Sequence, residues 1–250
     1  MSQNSNKKKH RDGGLTLLIA AAVGIVLLMS ACRPAAPVSK PPQTTALADQ
    51  TLTAPSVQME IRQFQSINLG YGLSITDVGS YTGMYMEDGS DEIVSGVMMI
   101  VVSNEGDEDI QLADIELSQN GEIYSFRLTN LAAGARAVVL ERERREHPEG
   151  EPQSAILKET VIFSEPMGLC EDRIGISGMD GMLNIQNVSD TDIDGDVYVY
   201  YKYAADDLFY GGITFRVRVE GGLDAGEIRQ IPAGHYSPSG CAIIHVECHG

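Results

Sequence analysis

Short apolar stretches separated by turn residues predict β-strands along most of the chain. The turn signals include Gln119-Asn120-Gly121 and Asp180-Gly181, and the second of these favours a tight hairpin. No stretch after residue 56 shows a sustained helical period. We therefore expect an all-β fold. The predicted strands are residues 94–102, 110–117, 122–128, 136–143, 174–177, 182–187, 197–203, 213–219 and 242–248.

One motif occurs twice. Residues 102–110 match residues 185–193, because each has an apolar strand end, an Asn, a polar turn and an Ile that opens the next strand. Further on, Phe126-Arg127-Leu128 matches Phe215-Arg216-Val217, and each is followed by a Leu and an Ala-Gly pair. A repeat period of about 85–90 residues is typical of tandem domains, whereas solenoids repeat at shorter periods. Short, regularly spaced strands then favour two β-sandwiches.

A charged segment separates the two copies. Nine of the eleven residues of 141–151 are charged or His, and the other two are Pro148 and Gly150. Such a composition favours a solvated linker. The predicted organisation after residue 56 is a first sandwich at 57–145, a charged linker at 146–159 and a second sandwich at 160–250.

The N-terminus has the layout of an export signal. A basic cluster, which includes Lys7 and Arg11, precedes the apolar run 14–31, and Cys32 follows Met29-Ser30-Ala31. Residues 1–32 resemble a bacterial lipoprotein signal, although Met29 stands where Leu is usual. The resemblance implies cleavage before Cys32 and attachment of lipid to it.

An uncleaved membrane anchor is the alternative to a lipoprotein signal. The apolar run of 18 residues would form a helix of roughly 27 Å, close to the bilayer core of about 30 Å. Either arrangement places residues 33–250 on the extracellular face of the cell membrane. Residues 33–56 hold five of the ten prolines and no aromatic residue, so they predict an extended tether.

The exported part is strongly acidic. Residues 33–250 carry 14 basic and 34 acidic side chains, which gives a net charge of −20. Such a surface disfavours nucleic acid as a partner and suits solubility or cationic partners.

The second copy is similar to the immunoglobulin-like modules of Gram-positive surface lipoproteins. The residues behind this resemblance are Asn187, the strand 197–203, and the segments 210–215, 223–226 and 232–236. It covers about residues 160–247, and more faintly 65–145. These residues form strand ends and turns, so the resemblance implies two tandem immunoglobulin-like modules and no catalytic residue.

A row of alternating aspartates suggests a weak calcium site. Asp190, Asp192, Asp194 and Asp196 surround Gly195, and hard carboxylate oxygens are the ligands of Ca²⁺ in wrapped loops. The Glu that completes an EF-hand is missing, because Tyr201 occupies its position. A hairpin turn that tolerates Asp is the alternative interpretation.

The cysteines allow one extracellular disulfide. Cys241 and Cys248 lie seven residues apart on one predicted strand, which separates them by roughly 23 Å. We therefore predict a Cys170–Cys241 disulfide, since the first strand of such a sandwich can run beside the last. The same region, with His245 and His249, also suggests a zinc site, although the spacing is unfamiliar.

Several tyrosines lie on the predicted strand 197–203. Alternation places Tyr198 and Tyr200 on one face with Lys202, and Tyr201 and Tyr203 on the other with two valines. The second set predicts core, and the first predicts a half-exposed sheet face that could stack against a ligand.

The motifs of the common enzyme classes are missing from the sequence. We find no Gly-x-Ser-x-Gly elbow, no His-Glu-x-x-His pair and no phosphate-binding Gly loop. The leading expectation is a non-enzymatic, membrane-tethered extracellular module for binding, adhesion or envelope assembly, with an unknown protein or envelope polymer as partner. The alternatives are a calcium-binding surface module and a surface hydrolase with dispersed carboxylates.

Overall fold

A computed structural model describes residues 57–62 and 64–248, and these residues form fourteen β-strands and no α-helix. The all-β prediction is confirmed for this part of the chain. The predicted signal or anchor (1–32), the tether (33–56), Cys32 and His249 lie outside the described residues. The strands are β1 (Gln58–Arg62), β2 (Ile67–Gly70), β3 (Leu73–Met84), β4 (Ile93–Asn104), β5 (Ile110–Gln119), β6 (Glu122–Leu131), β7 (Arg136–Leu140), β8 (Ser154–Ile162), β9 (Ile174–Met179), β10 (Met182–Asn187), β11 (Val197–Ala205), β12 (Leu208–Val219), β13 (Ile228–Pro232) and β14 (Cys241–Cys248).

Within this described part of the chain, no helix has the length and hydropathy to cross a bilayer.

The first half of the structure pairs its strands around β4 and β5. Strand β4 lies between β3 and β7, and β5 lies between β6 and β8, with all four pairings antiparallel. Apolar side chains from both groups of strands, among them Ile100, Ile115 and Phe126, form one buried cluster. Alternate residues of β5 point into this cluster, which is the period-two pattern of a strand with one buried face.

The second half repeats this pairing. Strand β10 lies between β9 and β13, and β11 lies between β12 and β14, again antiparallel throughout. A second buried cluster, which includes Leu183, Val199 and Val246, fills the space between the two groups. Strands β3 to β8 of the first half therefore correspond in order and pairing to strands β9 to β14 of the second.

The repeated Asn makes the same contacts in both halves. Asn104 is fully buried and donates from Nδ2 to the carbonyls of Glu108 (2.8 Å) and Leu131 (3.2 Å). Asn187 is also fully buried and donates to the two equivalent carbonyls at 2.8 and 3.1 Å. A buried amide with paired donors fixes the chain where it leaves one group of strands for the other. The repeated sequence motif thus builds the same strand connection twice.

The two halves share one sheet. Strand β7 pairs in parallel with β12 through Phe209–Ala137 and Tyr210–Val138. This contact joins the strands into an eight-stranded sheet of order β1-β3-β4-β7-β12-β11-β14, with β2 paired to β3. The described residues consequently form one compact unit.

The predicted linker 146–159 differs from the structure. Strand β8 begins at Ser154 and pairs with β5 along its length, so the first half extends to Ile162. The charge pattern of 141–151 predicts a solvated linker, but Glu141, Arg144 and Arg145 of this segment form ion pairs. Glu141 is fully buried and accepts hydrogen bonds from the Arg145 side chain (2.7 Å) and from the N–H of Glu143 (2.8 Å). Burial alone would raise the pKa of Glu141, but the hydrogen bonds and the charge of Arg145 hold it below its usual value.

Candidate binding surface

The outer side of the sheet formed by β12, β11 and β14 presents two cross-strand rows of polar and aromatic side chains. Tyr198 lies between Arg218 and Glu247, and Tyr200 lies between Arg216 and His245. We name these six residues the Tyr–Arg face. Their neighbours on the inner side of the strands, which include Val197, Val199 and Tyr201, are buried in the second core. The predicted division of the tyrosines between a core face and a half-exposed face is therefore confirmed for Tyr198, Tyr200 and Tyr201.

Arginine side chains lie over the tyrosine rings. The guanidinium carbon of Arg216 is 4.9 Å from the ring centroid of Tyr198 and 6.0 Å from that of Tyr200. His245 stacks on Tyr200 from the other side, with 5.5 Å between ring centroids. Burial raises the pKa of Tyr200, so its phenol keeps its proton at neutral pH. The face thus combines cation–π contacts with exposed guanidinium groups.

The first half carries a different surface at the corresponding place. Arg127, which corresponds to Arg216 in the repeated motif, donates to both carboxylate oxygens of Asp114 at 2.7 and 2.5 Å. Asp114 faces Arg127 across β5 and β6 just as Tyr200 faces Arg216 across β11 and β12. Arg127 is thereby neutralised, whereas Arg216 lies against tyrosines and forms no ion pair within the described part of the chain.

Two aspartates of the predicted calcium loop contact an arginine and backbone N–H groups. Asp196 forms an ion pair with Arg218 at 2.6 Å and accepts a hydrogen bond from the N–H of Gly221 at 2.9 Å. Asp192 accepts a hydrogen bond from the N–H of Ala225 at 2.8 Å. Asp190 and Asp194 belong to no metal-binding group, because residues 57–62 and 64–248 contain no cluster of three or more His, Cys, Asp or Glu able to hold a metal. The arrangement corresponds to the alternative interpretation, a turn that tolerates Asp.

The cysteines also differ from the predicted pairing. Cys170, Cys241 and Cys248 are free thiols, and no Cys170–Cys241 disulfide is present. The chain before β9 runs along the end of β14 instead of its start, since the N–H of Val246 donates to the carbonyl of Gly168 at 2.8 Å. Cys170 therefore lies near Cys248, and Cys241 is at the opposite end of the strand.

Lys202 occupies a place that the alternation did not predict. The pairing of β11 shifts register next to β14 between Tyr200 and Tyr201, and next to β12 between Tyr201 and Tyr203. Lys202 lies beside both irregularities and is fully buried. Its Nζ donates to the carbonyls of Gly212 (3.0 Å) and Ile213 (2.8 Å).

Glu87 approaches the same glycine from the first half of the chain. Its carboxylate accepts hydrogen bonds from the N–H groups of Gly212 (2.8 Å) and Leu140 (2.8 Å). Burial raises the pKa of Glu87 and lowers that of Lys202, while each charge opposes the shift of the other. We name Glu87, Lys202 and Gly212 the joint, because they connect β7 and β12. No motif marks Glu87 in the sequence.

Two clefts of the described region are small. One, next to Arg62 and His147, has a volume of about 200 Å³, and another, next to Asp109 and Phe163, has about 210 Å³. Small-molecule sites usually measure about 300–1,000 Å³. A partly exposed sheet face such as the Tyr–Arg face is suited to a macromolecule instead.

No protein-family model matches the chain, and a comparison with curated proteins finds no similar sequence. The function must therefore be inferred from the surface itself.

Proposed function

We propose that the chain is a non-enzymatic, membrane-tethered extracellular protein that binds a partner protein through the Tyr–Arg face. The observation that carries this proposal is the contrast between two corresponding arginines. Asp114 neutralises Arg127 in the first half, whereas Arg216 lies over Tyr198 in the second. The chain has many acidic side chains that keep it soluble. An arginine among aromatic rings therefore supports a role in binding a partner rather than a role in solubility.

The geometry favours a protein over a sugar polymer as the partner. Sugar stacking needs an open ring face, but Arg216 already lies over the rings of Tyr198 and Tyr200, and His245 covers Tyr200. Tyr and Arg are instead the side chains that most often dominate the binding free energy of protein interfaces. The acidic residues around the face favour a partner with a basic rim.

Photo-crosslinking on intact cells tests this proposal. A photoreactive phenylalanine analogue at position 200 is expected to form adducts with a protein partner, and the same analogue at position 114 is not. Combining the probe at position 200 with Arg216→Ala should lower the adduct yield about 10- to 30-fold, the loss typical of a central interface residue. Mass spectrometry of the adducts gives the identity of the partner.

Arg127→Ala is the matched control for Arg216→Ala. It removes the same side chain from the corresponding position of the first half, so the adduct yield at position 200 should stay unchanged. Equal adduct yields from positions 114 and 200 would contradict the proposal. Adducts that contain only glycan would show that the partner is an envelope polymer and not a protein.

We also propose that Cys32 carries the lipid that holds the protein at the membrane. The supporting observations are the basic cluster, the apolar run 14–31 and the small residues before Cys32. In a bacterial host, labelled palmitate is expected to enter the wild type and the Cys170→Ser variant but not Cys32→Ser. Membrane retention of unlabelled Cys32→Ser would support the uncleaved anchor instead.

We infer further that both halves are immunoglobulin-like modules. The twofold occurrence of the same strand pairing and of the buried Asn supports this inference. In such modules two sheets pack over a shared core, and each half of this chain has a buried cluster of that kind.

A further inference from the structure

Two thiols from distant parts of the sequence lie side by side at the end of β14. The N–H of Val246 donates to the carbonyl of Gly168 at 2.8 Å, and the Cys170 thiol donates to the carbonyl of Val246 at 3.2 Å. Arg173, further along the segment of Gly168, lies with Nη1 4.0 Å from the sulfur of Cys248, so the two segments run in the same direction. This arrangement brings Cys170 next to Cys248.

Both thiols belong to the edge of the second core. Cys170 and Cys248 are half-buried and pack against the same apolar cluster. Burial, together with the neighbouring Cys170, raises the pKa of Cys248 to about 11, so the thiol keeps its proton at neutral pH. Arg173 lies with Nη1 4.0 Å from the sulfur of Cys248 and can stabilise a thiolate that forms there.

Cys241 is in different surroundings. Its sulfur donates to the carbonyl of His235 at 3.3 Å and accepts from the N–H of Ser237 at 3.5 Å. Because Cys241 and Cys248 are the first and last residues of β14, they are separated by roughly 23 Å. That distance excludes a bond between them while the strand is intact.

We infer that Cys170 and Cys248 are a disulfide pair that closes when the protein meets an oxidised low-molecular-weight or protein disulfide. One thiol loses its proton and attacks a sulfur of the oxidant, whose other sulfur leaves as a thiolate. The second cysteine then loses its proton and attacks the mixed disulfide, which releases the second thiolate. The two protons and two electrons of the cysteines end on the two thiols of the reduced oxidant.

The disulfide would close a loop around the whole second half. It connects the segment before β9 to the last residue of β14, and every strand of the second core lies between these points. A cross-link over a long loop restricts the unfolded chain, so we expect oxidation to raise the Tm by roughly 5–10 °C.

The test uses the full chain, purified in detergent, reduced, and incubated with oxidised glutathione. Thiol counting after denaturation should show the loss of two thiols. Cleavage after glutamate without reduction should then give one cross-linked peptide that contains Cys170 and Cys248. This cleavage distinguishes the two possible partners of Cys170, because Glu247 lies between Cys241 and Cys248.

Two variants serve as matched controls. Cys241→Ser should keep the cross-link and the rise in Tm, and Cys248→Ser should lose both. A peptide that joins Cys170 to Cys241 would overturn the inference, as would three thiols that stay reduced or carry only glutathione. These results do not depend on the Tyr–Arg face, so they test the inference separately from the proposed function.

Discussion

Glu87→Ala is expected to lower the free energy of unfolding by about 3–5 kcal/mol, the range observed when one partner of a buried charged pair is removed. The substitution leaves the ammonium group of Lys202 in the interior without its opposing charge. It also leaves the N–H groups of Leu140 and Gly212 without their carboxylate acceptor. Chemical denaturation followed by a spectroscopic probe measures the change.

The pH dependence of this variant has a definite sign. Burial lowers the pKa of Lys202 in the folded protein below its value in the unfolded chain, and the charge of Glu87 works against that shift. Without Glu87 the unfolded chain binds more protons than the folded protein between about pH 7 and pH 10. The unfolding free energy of Glu87→Ala should therefore rise with pH across this window, because Lys202 is neutral in the folded protein and still charged in the unfolded chain.

Glu87→Gln and Glu92→Ala are the controls for the joint. Glu87→Gln keeps an acceptor for the two N–H groups and should lose less stability than Glu87→Ala. Glu92 pairs with Arg144 at the surface, where an ion pair contributes only about 0–1 kcal/mol. If Glu87→Ala lowers the free energy of unfolding no more than Glu92→Ala does, the joint does not stabilise the fold.

Gly212→Ala should lower the free energy of unfolding about as much as Glu87→Ala does, by roughly 4 kcal/mol or more. A Cβ at this position would lie 1.9 Å from the carbonyl oxygen of Arg127 and 2.8 Å from a methyl carbon of Val139. Backbone contacts this short cannot be relieved by a change of rotamer, so β12 must move away from β6 and β7. That movement separates the carboxylate of Glu87 from the N–H of Gly212.

Gly234→Ala is the matched control for Gly212→Ala. A Cβ at Gly234 meets nothing within 4 Å, so the free energy of unfolding should change by no more than about 0.5 kcal/mol. Thermal unfolding of both variants gives the comparison. Similar Tm values for the two would show that the close approach of β12 to β6 tolerates a methyl group.

The local features of the fold are predictable from the sequence. The period-two pattern predicts most of the strands, and the repeated sequence motif alone marks the strand connections at Asn104 and Asn187. These signals are local, because they depend on residues that are neighbours in the chain. The outward position of Tyr198 and Tyr200 follows from the same alternation.

The long-range features could not be predicted in the same way. The contact between β7 and β12 has no sequence signature, since parallel pairing is decided by distant parts of the chain. The burial of Lys202 could not be predicted from the alternation, because its charged neighbour Glu87 comes from a distant part of the chain. Glu141 belongs to a segment with the composition of a linker, and that composition does not reveal that Glu141 is buried and paired with Arg145.

The parallel contact between β7 and β12 has a consequence during synthesis. A chain made from its N-terminus completes β1 to β8 by residue 162, whereas β12 begins at Leu208. Until then β7 is an uncovered sheet edge, and exposed edges pair readily with other chains. A fragment cut at the repeat boundary would keep this open edge permanently. The two halves therefore repeat one strand pairing, but they are not exchangeable building blocks.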